Sequence, residues 1–326
     1  MPYCTRILVS LLGALALAGC GEKPAARAPV EAARELTVFY TCDTRGNVHA
    51  CDCTGGSAGG ISRRSTYLRN FAVGEHLLVD AGNVGAGTGA RELLDLDALL
   101  EGYRRLGYDA VNAGRGEVVL GLDALRARAA ITPALISANV LDEQGRLVLP
   151  SHVSRTLTNG LRVAITGVVE PALVERELGA GLRVKPPADA LGSLLPELRR
   201  THDAVLVLAF MEQSAMIDLA TLFYEIDALI GGAVEQPTAE PVMVNRATLT
   251  AITDRGKSIG RLDLSFHHGR ASVVTNDITM LYDAVPDDPA LRDLLEAHAQ
   301  KVTALTNAAA GVTFDDGLRA LPGAAP

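Results

Sequence analysis

The stretch Leu36-Thr-Val-Phe-Tyr-Thr-Cys42 is rich in β-branched and aromatic residues and predicts a buried β-strand. It is followed at once by Asp43-Thr-Arg-Gly-Asn47, and then by a glycine-rich loop over residues 51–60. An α/β sheet presents its functional side chains in the loops that directly follow its buried strands. The stretch therefore predicts both the first strand of the fold and the start of its candidate site.

Strands and helices alternate along the chain beyond this stretch. Short apolar segments predict strands at 76–80, 109–112, 134–139, 163–169, 203–209 and 227–231. Helical spacing of apolar residues predicts helices at 61–71, 91–106, 122–130, 187–200 and 214–226, with a last helix at 290–305. Alternating short segments at 241–278 predict antiparallel strands. The whole pattern favours an α/β fold with a largely parallel inner sheet.

The helix predicted at 61–71 carries three arginines, Arg63, Arg64 and Arg69. Their spacing places them on the polar side of the helix, so we expect them to face solvent. An alternative is that Arg63 and Arg64 bind an anion near the helix start.

Composition excludes one broad class of partner. The 326 residues carry a formal net charge of −8, contain no Trp, and are only 4% aromatic. An acidic chain has no global electrostatic attraction for nucleic acid, and few aromatic side chains are present for base stacking. We therefore expect no nucleic-acid partner.

The N-terminus has the pattern of a secretory signal. Arg6 precedes an apolar run over residues 7–18, and small residues lead to Cys20. Leu17-Ala-Gly-Cys20 resembles the lipobox of bacterial lipoproteins, which implies cleavage before Cys20 and acylation of its thiol. A plain signal peptide with a chance cysteine is the alternative. Lipid anchoring would make the membrane a partner of the chain.

The predicted organisation has four segments. These are a lipoprotein signal peptide over 1–19, the lipidated cysteine and a flexible tether over 20–35, the main domain over 36–285, and a C-terminal helix and tail over 286–326. Gly21 stands where lipoproteins of the inner membrane often carry Asp. We therefore expect a protein of the cell envelope, anchored in the outer membrane and facing the periplasm.

Six ordered segments resemble the N-terminal catalytic domain of the 5′-nucleotidase family of metallophosphoesterases. They lie at 36–47, 59–64, 77–83, 106–117, 227–232 and 256–263. The Cys-x-Cys at 51–53, before Gly59-Gly-Ile-Ser-Arg-Arg64, is similar to a loop in a lipoprotein branch of that family. The resemblance implies a four-layer α/β/β/α sandwich of the metallo-dependent phosphatase type.

The resemblance also implies a centre of two metal ions, but this chain departs from the family at most ligand positions. Such a centre needs a bridging Asp, further carboxylates, His and Asn around ions about 3.5–4 Å apart. Asp43 retains its position and Glu117 stays beside its motif, whereas Asn83 replaces the bridging Asp. The positions of the other ligands correspond to Arg45, Arg115, Gly116, Phe210, Ala233 and Glu235.

These departures argue against the family's chemistry. A neutral Asn cannot bridge two dications as a carboxylate does, and the two arginines place fixed positive charge where metals would bind. One of these arginines is expected to pair with Asp43 or Glu117 in place of a metal. We expect no dinuclear centre and a non-hydrolytic binding protein. The alternative is an active phosphoester or nucleotide hydrolase with a reduced site of Asp43, Asn83, Glu117 and Glu235.

A cluster of Cys and His residues follows the first strand. Thiolate and imidazole from Cys42, His49, Cys51 and Cys53 suit one Zn²⁺ or copper ion, or a redox role. A disulfide from Cys42 to Cys51 or Cys53 is a second interpretation, and thiols without a role are a third. If the loop is functional, its ligand would be a metal, a redox partner or a periplasmic protein.

Overall fold

The computed structural model describes residues 33–53, 56–238 and 240–309, without the side chains of Asp52 and Cys53. These residues belong to one compact unit that begins at Ala33. The predicted signal peptide, Cys20, most of the tether and the tail from residue 310 lie outside the described residues.

The described strands and helices are numbered in chain order. The strands are β1 (Arg34–Thr41), β2 (Cys51–Cys53), β3 (Gly56–Ala58), β4 (Leu77–Asp80), β5 (Ala110–Asn112), β6 (Leu135–Ile136), β7 (Val140–Asp142), β8 (His152–Thr156), β9 (Arg162–Val169), β10 (Leu182–Val184), β11 (Ala204–Phe210), β12 (Ala228–Gly232), β13 (Val242–Val244), β14 (Ala247–Ala251), β15 (Ser258–His267) and β16 (Arg270–Met280). The helices are α1 (Ile61–Phe71), α2 (Ala90–Leu106), α3 (Arg115–Val118), α4 (Leu122–Ile131), α5 (Pro187–Thr201), α6 (Gln213–Leu222) and α7 (Arg292–Ala309).

Two six-stranded sheets form the centre of the unit. The first has the order β16-β15-β1-β4-β5-β6, with β1, β4, β5 and β6 parallel and β15 antiparallel to β1. The second has the order β13-β14-β12-β11-β9-β8, with β14, β12, β11 and β9 parallel and its two edge strands antiparallel. Loops that follow the parallel strands of one sheet therefore gather at one edge, where α/β sheets bind ligands.

The two sheets pack face to face through a shared apolar core. Val38 of β1 and Ile230 of β12 are both fully buried in it. Polar groups also connect the sheets, since the Tyr40 hydroxyl lies 2.9 Å from Thr250 Oγ1. The Asn112 side chain donates to the Val168 carbonyl at 2.8 Å. Such buried hydrogen bonds between the sheets fix one relative placement of them better than apolar contact alone.

Helices cover both outer faces. The second sheet is covered by α5 and α6, whose Leu195 and Met216 share a buried cluster with Val207 of β11. On the first sheet, α2 buries Leu99 in the main core, and α7 packs on α2 with Arg105 paired to Asp293 at 2.9 Å. The predicted four-layer α/β/β/α sandwich is therefore confirmed.

The C-terminal part of the fold differs from its prediction in one pairing. The segment at 241–278 was expected to be antiparallel, and β13–β14 and β15–β16 are. However, β14 pairs parallel with β12, with Thr248 opposite Ala228. The reason is that β14 returns to the second sheet as an inner strand, whereas β15 crosses to the first sheet beside β1.

None of the helices within the described part of the chain is both long and apolar enough to cross a membrane.

Candidate functional site

A cleft opens at the carboxyl ends of the parallel strands. Its cavity has a volume of about 450 Å³. Six positions that correspond to metal ligands in the resembling family line it: Arg45, Asn83, Arg115, Phe210, Ala233 and Glu235. The cleft is thus the place at which the predicted site residues meet, as the topology requires.

Asp43 is a buried carboxylate that contacts two lining residues of this cleft, Arg45 and Asn83. Its residue follows β1 in a left-handed conformation with φ of 59°, and only 1% of it is exposed. Its Oδ1 atom accepts from Asn83 Nδ2 at 2.5 Å and from Arg45 Nε at 2.7 Å. Its Oδ2 atom accepts from the Thr253 hydroxyl at 2.9 Å. The predicted pairing of an arginine with Asp43 is therefore present.

Asn83 uses both ends of its side-chain amide within the protein. Its Nδ2 donates to Asp43, and its Oδ1 accepts from the backbone N–H of Gly116 at 2.8 Å. The residue is 3% exposed, with φ of 64°. The amide therefore fixes the loop after β4 to the start of α3, and its oxygen has one protein donor already.

Glu117 is fully buried and holds three loop amides. Its Oε2 atom accepts from the N–H groups of Asn83 at 3.0 Å and Gly114 at 2.8 Å, and its Oε1 atom accepts from Gly85 at 2.9 Å. Burial raises the pKa of Glu117 to about 7, although the three amides favour the ionised form. Arg115 does not pair with Glu117, because its guanidinium binds the Glu177 carboxylate at 2.5 and 2.7 Å.

These residues do not fit a dinuclear metal centre. The oxygens of Asp43, Asn83 and Glu117 are all engaged by protein donors, as the preceding distances show. No group of three or more His, Cys, Asp or Glu side chains with metal-binding geometry occurs among the residues that the structure describes. A dication at Asp43 would also lie beside the Arg45 guanidinium, whose charge opposes it.

The Cys42 thiol faces the interior instead of the loop that follows it. Cys42 is 2% exposed, and its Sγ donates to the Gly82 carbonyl at 3.3 Å. A Cβ atom at Gly232 would lie 2.0 Å from this sulfur, so the thiol fills the space that this glycine leaves. Burial raises the pKa of Cys42 well above its ordinary value, and the nearby carboxylates of Asp80 and Asp43 act in the same direction.

The disulfide interpretation is therefore wrong for Cys42, which is a free cysteine. The physical reason is that its side chain is directed from the end of β1 towards the second sheet. Cys51 begins β2, which pairs antiparallel with β3, and the Cys53 side chain lies outside the described residues. A soft-metal or redox role for Cys51 and Cys53 remains a prediction.

His49 contacts the last helix rather than Cys42. Its Nε2 atom lies 3.2 Å from Nδ1 of His298, a buried residue of α7. The other ring nitrogen of His298 lies 2.7 Å from Asp95 Oδ1 on α2. Burial lowers the pKa of His49, and the neighbouring His298 and Arg91 lower it further. The histidine predicted as a ligand thus connects the site loop to α7 and α2.

Sequence reasoning missed several residues that complete the site. Thr253 follows β14 and bonds Asp43, and its place within the segment predicted as antiparallel gave no signal for this role. Arg176 and Glu177 line the cleft from an irregular segment after β9, where no periodicity exists to be read. A search for polar residues beyond each parallel strand would have found Thr253 once β14 was known to be parallel.

Comparison with known proteins agrees with the fold described above. No family model matches the chain. It is 23% identical over 331 residues to a 5′-nucleotidase of Vibrio parahaemolyticus, a match that covers 88% of this chain and 57% of that protein. The chain is thus similar in sequence to 5′-nucleotidases. The predicted resemblance is therefore confirmed for the N-terminal part of those proteins.

Solved structures show that the chain shares its fold with proteins of this kind. The 5′-nucleotidase precursor of Thermus thermophilus superposes with a TM-score of 0.70 at 22% identity, over 84% of this chain and 60% of that one. The calcineurin-like phosphoesterase YfkN of Bacillus subtilis superposes with a TM-score of 0.69 at 21% identity, over 83% of this chain and 98% of that one. The chain spans less than two thirds of the length of the 5′-nucleotidases that it matches.

Proposed function

We propose that this chain is a non-hydrolytic, metal-independent binding protein with a phosphoesterase fold, anchored by a lipid at Cys20 in the cell envelope. The observation that carries the proposal is the engagement of both Asp43 carboxylate oxygens by Arg45, Asn83 and Thr253. The guanidinium of this pair is half-exposed but the carboxylate is buried, so removal of Arg45 would leave a buried charge without its cation. A metal ion at either oxygen of this carboxylate would compete with these donors and lie close to the positive charge of Arg45.

The chemistry of the site supports binding rather than phosphoryl transfer. Hydrolysis in the resembling family needs a hydroxide generated and oriented by two metal ions. Here the site offers guanidinium groups, which are strong hydrogen-bond donors but cannot generate that nucleophile. The cleft remains open at about 450 Å³, so the loss of metal ligands has left room for a ligand.

The alternative function is an active hydrolase with a reduced metal site. It would use Asp43, Asn83, Glu117 and Glu235, of which Glu235 lines the cleft. The engaged oxygens of the other three residues disfavour it, since each ligand would first have to lose protein donors. A measurement of phosphate-ester turnover distinguishes this alternative from the proposed function.

We expect the purified full chain in detergent to show no turnover of an aryl phosphate above background with Mn²⁺ or Zn²⁺. Asp43→Ala should leave this background unchanged, because the carboxylate holds Arg45 rather than a metal. Arg45→His alone should gain no activity, since catalytic residues that act as a unit contribute non-additively. Metal-dependent turnover that disappears in Asp43→Ala would establish the hydrolase instead.

The anchoring part of the proposal rests on Leu17-Ala-Gly-Cys20. Acylation at more than one position gives stable attachment to a membrane surface. We expect Cys20→Ala to be released from the membrane fraction or to accumulate unprocessed, whereas Cys51→Ala should fractionate as the wild type does. Fractionation with immunodetection measures this. A processed Cys20→Ala protein that stays in the membrane fraction would refute lipid anchoring.

A further inference from the structure

The cleft has a concentration of guanidinium groups that the proposed function leaves unused. Arg45, Arg115 and Arg176 all line the same cavity. Arg45 engages Asp43 through Nε only, so its two Nη atoms have no partner among the described residues. Arg176 is exposed and has no hydrogen bond or ion pair within the described part of the chain. Donors of this kind are suited to planar oxyanions.

One of these arginines already binds a carboxylate supplied by the chain itself. Arg115 Nη2 contacts both oxygens of Glu177, at 2.7 and 2.5 Å. Both side chains are about half exposed, at 45% and 54%, so this pair lies at the cleft mouth and not in the core. An exposed ion pair contributes little to stability, so a ligand carboxylate can replace Glu177 at small cost.

The cavity also has apolar lining residues. Phe210, at the end of β11, lines it together with Leu173 and Val234. Small-molecule sites combine an apolar lining with a few convergent polar groups in this way. These residues and the arginines together suit a compact ligand with acidic groups on a short hydrocarbon frame.

Backbone strain is concentrated at the same cavity. Of the eight non-glycine residues with positive φ in the described chain, four lie at the cleft: Asp43, Arg45, Asn83 and Ala233. Non-glycine residues in this region of backbone conformation are uncommon and cluster at ligand sites. The other four occur in turns around β14, β15 and β16. The strain holds Arg45 and Asn83 at the wall of the cavity.

We infer that the cleft binds a small organic acid through its carboxylates, without a metal ion. One ligand carboxylate would replace Glu177 on Arg115, and a second acidic group would meet Arg176 and the free Nη atoms of Arg45. This inference rests on the proposed function, because it requires Arg45 and Asp43 to stay paired. No bond is made or broken in the ligand.

Isothermal titration of the full chain with succinate, in detergent and with a chelator present, tests the inference. We expect succinate to bind saturably with a dissociation constant below about 10 mM. The uncharged analogue succinamide should not bind. Arg176→Ala should weaken binding about tenfold, the value of one charge-assisted hydrogen bond. Arg176 has no partner to lose among the described residues, so this variant is expected to fold normally.

Two matched variants separate a built site from general surface charge. Arg183→Ala removes an exposed arginine of β10 that does not line the cleft, and it should bind succinate as the wild type does. Glu177→Gln removes the internal carboxylate, and it should bind more tightly. Equal losses of succinate affinity in Arg183→Ala and Arg176→Ala would overturn the inference. So would an unchanged succinate affinity in Glu177→Gln.

Titration with inorganic phosphate is the last measurement. If phosphate binds with the same dependence on Arg176 and succinate does not, the assignment to carboxylates is wrong. If no anion binds, the inference fails while the absence of hydrolysis still stands. Metal-dependent turnover of the aryl phosphate would instead refute the proposed function itself, so the two failures are distinguishable.

Discussion

Arg64→Met is expected to lower the free energy of unfolding by about 3–5 kcal/mol, the cost of removing one partner from a buried charged network. Arg64 is 1% exposed although it belongs to an exterior helix, α1. Its Nη1 atom donates to the Tyr103 and Tyr108 hydroxyls at 2.9 and 3.0 Å. Tyr103 in turn donates to Asp80 Oδ2 at 2.9 Å. The substitution would remove the nearby positive charge that favours the ionised form of the buried Asp80.

Urea denaturation followed by circular dichroism measures this loss. Arg200→Met is the matched control, because Arg200 is exposed on α5 and has no partner among the described residues. We expect it to change stability by less than about 0.5 kcal/mol. If Arg64→Met does not fold, Tyr108→Phe removes one member of the network and should cost about 1–2 kcal/mol. Equal stability of all three variants would show that the network does not support the fold.

Glu117→Gln is expected to cost about 2–4 kcal/mol, because a side-chain NH₂ would then face at least one backbone N–H that now has an acceptor. The carboxyl group joins the loops after β4 and β5 through Asn83, Gly85 and Gly114. Water cannot replace the lost acceptor for these amides, since Glu117 is fully buried. Glu143→Gln, at an exposed position without a described partner, is the control and should be neutral.

The pH dependence of stability, compared between the wild type and Glu117→Gln, gives a second measurement. The pKa of Glu117 is raised from an ordinary 4.5 to about 7 in the folded state, chiefly by burial. A carboxyl group with a raised pKa contributes its full stabilisation below the unfolded value and loses it as the pH rises through the folded value. The stability advantage of the wild type over Glu117→Gln should therefore narrow from pH 5 to pH 8. A constant advantage across this range would contradict the raised pKa.

Elements with strong local patterns were predictable to within a few residues. The helix expected at 61–71 is α1, with the same bounds, and the helix expected at 91–106 is α2 with one more residue. Buried strands such as β9 and β11 were also found, because continuous apolar runs bounded by polar turns leave few alternatives. The short β7, β8 and β10 were not predicted, since edge strands of three to five residues carry little periodic signal.

The location of the site was predictable from the sequence, but only some of its side-chain contacts were. The pairing of Asp43 with an arginine followed from the residues at the family positions, and the structure shows it to be Arg45. The directions of Cys42 and His49 did not follow, because a loop sets side-chain direction through contacts with distant elements. The thiol of Cys42 meets Gly82 and Gly232, and the ring of His49 meets α7, some 249 residues along the chain.

The sequence by itself determined the order of elements, the sheet edge that carries the site, and the loss of metal ligands. These properties are local, since they depend on periodicity, on glycine and polar residues after strands, and on residue identity at fixed positions. Tertiary structure alone decided that Arg64 is a buried charge rather than a solvent-facing one, and that Arg176 and Glu177 reach the cleft. The physical reason is that burial and charge pairing depend on which surfaces meet, and the Tyr103, Tyr108 and Asp80 groups that neutralise Arg64 come from other elements.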